Sequence, residues 1–325
     1  MKVAVTGASG HIGSCLLREL KKQGAGIKAL VYDSGNGLDE MDVELIKGDL
    51  LEPESLIKLC EGVDVVFHLA AQIAIDNRSS AKVYETNVTG TKNIIKAANK
   101  AGSKKFIHFS SIHAFQIASP DQLIDESTSL VETNKIIYEF TKAEGEREVM
   151  NAVKEGLNAV ILNPTAVIGP FDYRGSLLGQ ALLKIYKKKL PFLVSGGYNW
   201  VDVRDVVSAS IQAIVSGRKG EKYILSGEFC SLRQLSVMIS KISGRNTPVI
   251  VPVSLARMAC PFIQVYSSLT KKEPLYTYQS LDILINSPVN ISNIKAKKEL
   301  GYEPRPLEKT LKDTFDWYRE NNIIN

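Results

Sequence analysis

A tyrosine and a lysine stand four residues apart in a segment of helical periodicity, an arrangement suited to proton transfer. Tyr138 and Lys142 share one face of the helix that the pattern predicts over 135–154. An unperturbed phenol has a pKa of about 10 and exchanges protons poorly at neutral pH. Because a nearby ammonium group stabilises the phenolate and lowers its pKa, the pair predicts acid/base catalysis at a substrate oxygen.

The position of this pair in the chain gives it more weight than its spacing does. Twelve tyrosines in a lysine-rich chain produce about one such pair by chance. Ser110 and Ser111, however, follow the apolar run 106–109, and the carboxyl ends of parallel strands face the ligand crevice of a doubly wound sheet. Either serine can bind the substrate oxygen while Tyr138 delivers or removes its proton. The alternative for each serine is a hydroxyl in a turn that ends the strand.

A glycine-rich turn joins the first apolar run to the first helical pattern and predicts a phosphate site. Gly7 permits the tight turn, Gly10 leaves room for pyrophosphate beside the backbone, and Gly13 lets the helix approach the strand closely. The N-terminus of the helix adds free N–H groups and a positive dipole end. We therefore expect a dinucleotide on this turn, in contact with Gly7, Ser9, Gly10, His11, Ile12 and Gly13.

Two further strand ends carry residues suited to the rest of a dinucleotide. Asp49 and Leu50 follow the third predicted strand, where the carboxylate can accept a hydrogen bond from the adenine amino group. The alternative for Asp49 is a turn that leads into the next helix. Leu69, Ala70 and Ala71 end the fourth predicted strand, and the small alanines suit contact between the backbone and the riboses.

Apolar runs alternate with helical patterns through the first half of the chain. Strands that are apolar on both faces predict a parallel sheet covered by helices, so we expect an α/β fold with a doubly wound, Rossmann-like sheet. One of the helices is predicted over 82–99. The predicted strands are 3–6, 27–31, 43–46, 63–69, 106–109 and 160–162.

The regular alternation ends near Gly169, which predicts a second domain. The dinucleotide-binding domain is assigned to 1–168, with 198–227 returning to it, and a smaller, mixed C-terminal substrate domain to 169–197 and 228–325. The apolar segment 249–266 either covers the substrate cleft or packs as a buried helix.

Composition excludes several other classes of protein. The chain has 325 residues, 44% hydrophobic and 23% charged, with a net charge of +5, as expected for a soluble globular protein. No apolar stretch is long enough for a membrane span, and no dense basic patch indicates nucleic acid. The four cysteines are far apart, which predicts reduced thiols in the cytoplasm, and the four histidines show no metal-ligand spacing.

Taken in order, these landmarks resemble those of extended short-chain dehydrogenases/reductases, the NAD-dependent epimerase/dehydratase family. The resemblance covers nearly the whole chain, and its segments are TGASGHIG, GDL, HLAA, NVTGT, FSS, YEFTK, LNPTAVIGP and WVDVRDVV. Within this family the chain is most similar to bacterial relatives of dihydroflavonol 4-reductase and to NAD-dependent sugar epimerases/dehydratases. Homodimer formation is a further property that the resemblance implies.

The resemblance also implies a role for each residue of the expected site. Ser111 polarises the substrate oxygen, Tyr138 is the catalytic acid/base, and Lys142 binds the ribose and lowers the pKa of the phenol. Asn87 lies near the active site. Asn163 stands where many members carry arginine, which leaves its role open. The nicotinamide ring is lined by Pro164, Thr165 and Val167.

The end of the second predicted strand bears on the choice between NAD and NADP. Relatives that prefer NAD place an aspartate at the position of Val31, and relatives that prefer NADP often place an arginine at the position of Tyr32. This chain has neither, and Asp33 comes slightly later. Because a carboxylate at Asp33 repels a 2′-phosphate, the sequence favours NAD slightly. Tyr32 can instead stack on the adenine.

Three functions are compatible with these residues. The first is an oxidoreductase that transfers hydride between a nicotinamide and a secondary alcohol or carbonyl, and a steroid-type dehydrogenase is one form of it. The second is a nucleotide-sugar epimerase or dehydratase, which needs a clamp for a diphosphate. Arginines for such a clamp are present but form no recognisable cluster: Arg174, Arg204, Arg233 and Arg257. The third is a dinucleotide-binding sensor without turnover, which the retained Tyr138–Lys142 pair disfavours.

Overall fold

A parallel sheet of seven strands forms the centre of the protein. The computed structural model describes residues 1–32, 38, 41–73, 80–190, 192–258, 260–261 and 278–324. Across the sheet the strand order is β3-β2-β1-β4-β5-β6-β10, and every neighbouring pair is parallel. The strands are β1 (Lys2–Thr6), β2 (Gly26–Val31), β3 (Glu44–Lys47), β4 (Val65–His68), β5 (Lys105–Phe109), β6 (Ala159–Pro164) and β10 (Lys222–Leu225).

Helices cover both faces of this sheet and bury its apolar side chains. Leu16 and Val206 belong to the hydrophobic cluster on one face, and Leu56, Ile94 and Val149 to the cluster on the other. This two-sided burial explains why β4, β5 and β6 are buried along their whole length. The first eight helices are α1 (His11–Lys22), α2 (Pro53–Cys60), α3 (Ser80–Tyr84), α4 (Gly90–Lys100), α5 (Ile137–Lys154), α6 (Leu177–Tyr186), α7 (Val203–Val215) and α8 (Leu232–Ser243).

Two small sheets lie outside the central one. A three-stranded sheet has the order β11-β9-β7 and a two-stranded sheet pairs β12 with β8. A separate hydrophobic cluster joins α6, α8 and the helix Leu307–Glu320 through residues such as Leu182, Leu235 and Phe315. The remaining strands are β7 (Ala166–Ile168), β8 (Phe192–Val194), β9 (Gly197–Asp202), β11 (Glu228–Ser231) and β12 (Val249–Val251), and the helices Tyr278–Ile285 and Ile294–Leu300 precede the last one.

The predicted α/β class and Rossmann-like sheet are confirmed, and the segment predicted to be helical over 82–99 is helical throughout, with a π-helical turn in its middle. That segment consists of α3, a π-helical turn over Glu85–Thr89 and then α4. A π turn widens the helix locally, as it often does near functional residues, and here it carries Asn87. The division into two domains stays a prediction, although β10 does return to the central sheet beside β6.

The described part of the apolar segment 249–266 is only partly packed against the protein, and Val249, Leu255 and Met258 are exposed. It contains β12 and a helical stretch over 253–258, and both Ala256 and Cys260 are buried against Leu281 and Leu284. Residues 259 and 262–266 lie outside the described residues. Trp200 is buried, and its indole N–H donates to the Cys230 carbonyl at 3.0 Å. Within the described ranges, no helix combines the length and the apolar character needed to cross a bilayer.

Candidate active site

A cavity of about 510 Å³ opens at the carboxyl ends of β1, β4, β5 and β6. This is the edge at which doubly wound sheets bind their ligands, because the helices that follow the strands point their N-termini there. The cavity brings together most of the predicted site residues: Gly7, Gly10, His11, Ile12, Gly13, Leu69, Ala71, Ser111, Tyr138, Lys142, Pro164, Thr165 and Val167.

The glycine turn has the close packing that its sequence predicts. Gly7 has a φ of +71°, and a Cβ atom there would lie 2.7 Å from the backbone nitrogen of Ala70. A Cβ at Gly13 would lie 2.2 Å from the Gly7 carbonyl oxygen, so α1 begins in direct contact with the turn. Gly10 donates its N–H to Gly7 O at 3.0 Å. Ser9 lies half-buried in this turn but does not line the cavity.

A directed chain of hydrogen bonds behind the cavity links β1, β4 and α4. Thr91 Oγ1 donates to Asn87 O at 2.7 Å, so it accepts the proton of His68 Nε2 at 2.9 Å. Nδ1 of His68 then accepts from Thr6 Oγ1 at 2.8 Å, and Thr6 Oγ1 accepts from Ala70 N at 3.2 Å. Burial lowers the pKa of His68 to about 3, which keeps the ring neutral, as this series of hydrogen bonds requires. Ala70 is therefore held by its backbone and does not line the cavity.

Ser111, Tyr138 and Lys142 all line the cavity, and the side chains of Tyr138 and Ser111 are hydrogen-bonded to each other. Lys142 is buried, and its Nζ donates to the Phe109 carbonyl at 2.6 Å. Burial lowers the pKa of Lys142 to about 8, and the Glu146 carboxylate opposes that change. With this pKa, the ammonium group of Lys142 can lose its proton only slightly above neutral pH.

The pKa of Tyr138 is raised above that of an ordinary phenol. Burial raises it, and a side-chain hydrogen bond with Ser111 opposes the rise. Desolvation of the phenolate is the largest effect on this pKa, and the lowering by Lys142 that the sequence predicts stays a prediction. The Lys142 ammonium is engaged by the Phe109 carbonyl.

Asn87 contacts α5 but does not line the cavity. Its Nδ2 donates to Gln72 O and to Thr141 Oγ1, both at 3.0 Å, and its Oδ1 accepts from Gln72 N at 2.7 Å. These three bonds tie the chain after β4 to α5, the helix that carries Tyr138 and Lys142. The geometry therefore indicates that Asn87 holds the site in place.

The residues predicted for the adenine end do not line the cavity. Asp49 Oδ1 accepts from Leu51 N at 2.9 Å, which is the helix-leading turn named as its alternative role. Leu50 is buried against Gly90, and Tyr32 is 71% exposed at the end of β2. Asp33 lies outside the described residues.

Sequence reasoning did not identify a buried polar cluster that supports Ser111. Asn163 Nδ2 donates to the Ser111 carbonyl at 3.1 Å and also to the carboxylate of Glu146. Glu146 Oε2 lies 3.1 Å from Nζ of Lys222, and both Glu146 and Asn163 are fully buried. An asparagine at position 163 in place of the usual arginine was the only signal of this cluster in the sequence.

His113 is a second residue that the sequence did not single out. It lines the cavity next to Tyr138, with the two rings edge to face and their centroids 6.1 Å apart. Its Nδ1 lies 3.4 Å from Glu139 Oε1. His113 thus places a second ring with polar atoms beside the phenol at the cavity.

Two of the four arginines considered for a diphosphate clamp, Arg204 and Arg257, are paired with carboxylates away from the cavity. Arg204 binds Asp202 and Asp313 at 2.6 Å and 2.8 Å, and Arg257 pairs with Asp282. Arg233 is exposed and does not line the cavity. Arg174 does line it, at the lip formed by the loop after β7. Among the described residues, no three His, Cys, Asp or Glu side chains are grouped so as to hold a metal ion.

Comparison with known proteins agrees with this geometry. The NAD dependent epimerase/dehydratase family model matches residues 3–226. A sterol demethylase protein B of Methylococcus capsulatus is 30% identical, with all of both chains covered. A candidate dihydroflavonol 4-reductase of Synechocystis sp. is 30% identical over 98% of this chain and 95% of its own. The crystal structure of gox2253 superimposes with a TM-score of 0.85 and 34% identity, covering 100% of this chain and 99% of that one.

The family match explains the glycine turn at the cavity as a site for a dinucleotide cofactor. The glycine turn follows β1 as a dinucleotide site requires, and the proteins of this family use NAD or NADP. The residues of this chain therefore fit that cofactor. The chain belongs to the NAD dependent epimerase/dehydratase family and is an NAD(P)-dependent enzyme of the extended short-chain dehydrogenase/reductase type.

Proposed function

We propose that the protein is an oxidoreductase that transfers hydride between a nicotinamide and a secondary alcohol or its carbonyl, in the manner of dihydroflavonol 4-reductase. The observation that carries this proposal is the meeting of Ser111, Tyr138 and Lys142 with the glycine turn at one cavity. A bound nicotinamide supplies or accepts the hydride at the substrate carbon. The side chains of the protein then handle the substrate oxygen and its proton.

Each of these side chains has a distinct task in the proposed reaction. Ser111 donates a hydrogen bond to the substrate oxygen and polarises it, and Tyr138 gives or takes the proton of that oxygen. Lys142 binds the ribose of the cofactor and stabilises the phenolate when it forms. Pro164, Thr165 and Val167 line the nicotinamide position, and the hydroxyl of Thr165 is fixed by a 3.0 Å bond to Asn199.

The nucleotide-sugar alternative has less support. It needs several cations at the cavity to hold a diphosphate. Arg204 and Arg257 are paired with carboxylates, and among the described residues Arg174 is the only one of the four arginines at the cavity. The names of the two relatives refer to a sterol and to a dihydroflavonol, neither of which is a nucleotide sugar.

Replacement of the phenol tests the proposal. With NADH or NADPH and a panel of ketones, wild-type protein is expected to oxidise the cofactor, measured by nicotinamide absorbance. Tyr138→Phe should lower kcat by at least about 100-fold while the affinity for the cofactor is retained, because only the proton donor is lost. Tyr84→Phe, away from the cavity, serves as the control. Equal kcat in wild type and Tyr138→Phe contradicts the role of Tyr138.

Three further predictions concern the preferred cofactor, the assembly and the location of the protein. We propose NAD as the preferred cofactor, a homodimer as the assembly and the cytoplasm as the location. All four cysteines are buried and free of disulfides, as expected for a reducing compartment. Cofactor preference is measured by the ratio of kcat/KM for NADH to that for NADPH, and assembly by light scattering of the eluted protein.

A further inference from the structure

The cavity walls beyond the glycine turn consist mainly of hydrocarbon side chains. They come from four separate parts of the chain: the turn after β5, the start of α5, the start of α6 and the segment that follows residue 278. The side chains used in the argument are Ile112, Ile136, Leu177, Leu178, Ile283 and Ile291. Because contributors so distant in sequence converge on one space, the apolar surface is a built feature of the site.

Two charged side chains at this cavity, Lys142 and Asp172, already form hydrogen bonds within the protein, which limits their interaction with a charged substrate. Lys142 donates to the Phe109 carbonyl, and both carboxylate oxygens of Asp172 accept from the Ser176 N–H, at 2.9 Å and 2.8 Å. Arg174, at the exposed lip, is the one arginine among the described lining residues. One exposed guanidinium does not offset the cost of moving a doubly charged diphosphate next to this apolar wall.

We propose that the substrate is a large, uncharged alcohol or ketone with a rigid hydrocarbon skeleton. This inference rests on the proposed hydride transfer. The oxygen of the substrate meets Ser111 and Tyr138, and its skeleton covers the isoleucine and leucine side chains. Each methylene buried in this way raises affinity by about fourfold, so size itself gives specificity.

A series of ketones that differ in ring number measures this specificity. The probes are cyclohexanone, 2-decalone and androstan-3-one, with NADH or NADPH and the full chain. We expect kcat/KM to rise by at least about tenfold with each step in size, because each step buries several more methylenes. Binding is followed separately by the thermal shift that each ketone and UDP-glucose produces, and UDP-glucose is expected to give none.

A pair of matched variants locates the effect at the apolar wall. Leu177 is 41% exposed and lines the cavity, whereas Val237 is 43% exposed on α8 and does not. Leu177→Asp should lower kcat/KM for androstan-3-one at least about tenfold and reduce its thermal shift to near zero, since the substitution places a charge against the skeleton. Val237→Asp should change neither quantity.

The outcomes separate this inference from the proposed function. If cofactor oxidation is equal for all three ketones, the substrate class is wrong and hydride transfer stands. If UDP-glucose is the best ligand and no ketone is turned over, both the substrate class and the proposed hydride transfer are overturned. If binding rises with ring number and is lost in Leu177→Asp, but no ketone or alcohol is turned over, the substrate class stands and hydride transfer is wrong. If no ketone binds or reacts, both are overturned.

Discussion

Glu146 lies one helical turn beyond Lys142 on α5, and its carboxylate raises the pKa of the Lys142 ammonium against the effect of burial. The same carboxylate accepts a hydrogen bond from Asn163, whose amide also holds the Ser111 carbonyl. Both ends of the proposed proton-transfer site are therefore linked to one buried negative charge. Lys222, on β10, balances that charge from the far side.

Replacement of Glu146 by glutamine should change the pH dependence of the reaction. The glutamine amide would retain an oxygen for Asn163 but lose the charge, so the pKa of Lys142 would fall below about 8. We expect the alkaline limb of the kcat/KM profile to move to lower pH by about one unit. Glu148→Gln provides the control, because Glu148 is on the same helix, α5, but pairs with Lys92 of α4 and not with Lys142. An unchanged pH profile in Glu146→Gln would show that the carboxylate has a structural role only.

Burial of Lys142 should also appear in the stability of the protein. The pKa of Lys142 is lowered from its ordinary 10.5 to about 8, so between these values the unfolded chain binds more protons than the folded one. The free energy of unfolding therefore gains up to about 3 kcal/mol from this group as pH rises across the window. In Lys142→Met that gain should be absent, whereas in Lys96→Met, an exposed lysine of α4, it should persist. Denaturant titrations at several pH values measure the difference, and parallel curves for wild type and Lys142→Met would contradict it.

The glycine turn should not tolerate a methyl group at Gly13. The added carbon would lie 2.2 Å from the Gly7 carbonyl oxygen and 2.7 Å from that of Ala8. We expect Gly13→Ala to lower the free energy of unfolding by about 1–3 kcal/mol and to weaken dinucleotide binding at least about tenfold, because α1 must move from the turn. In Gly26→Ala the nearest contact is an ordinary 3.5 Å, so that variant should bind the dinucleotide normally. Calorimetry checks both, and equal affinity in the two variants would show that the turn adapts.

Asn87 should matter through its three hydrogen bonds. Asn87→Ala leaves the backbone groups of Gln72 and the hydroxyl of Thr141 without this partner. We expect a loss of about 2 kcal/mol in the free energy of unfolding, together with a lower kcat, because α5 is no longer tied to the chain after β4. Asn99→Ala, at the exposed end of α4, is the matched control and should change neither. A fall in kcat without any change in stability would instead point to direct contact between Asn87 and the substrate.

The strands and turns of the first half were predictable because each carries its own local signal. Apolar runs such as 106–109 and the spacing of Gly7, Gly10 and Gly13 depend on neighbours in sequence, and the structure places both as expected. Strands of three residues, such as β7 and β12, are too short to show any periodicity. The role of Asn163 could not be predicted either, since it depends on Glu146 and Lys222, which only the fold brings together.

The position of β10 has a consequence for any attempt to shorten the protein. β10 follows β7, β8 and β9 in the sequence, yet it pairs with β6 and forms the edge of the central sheet. In a fragment that stops at Ile168, β6 would be an apolar edge strand with unpaired backbone groups. Such an edge favours pairing with strands of other molecules. The fragment would also lack Lys222, so the buried Glu146 carboxylate would lose its ion-pair partner. Residues 1–168 thus hold six of the seven strands of the central sheet, and the seventh, β10, comes from later in the chain.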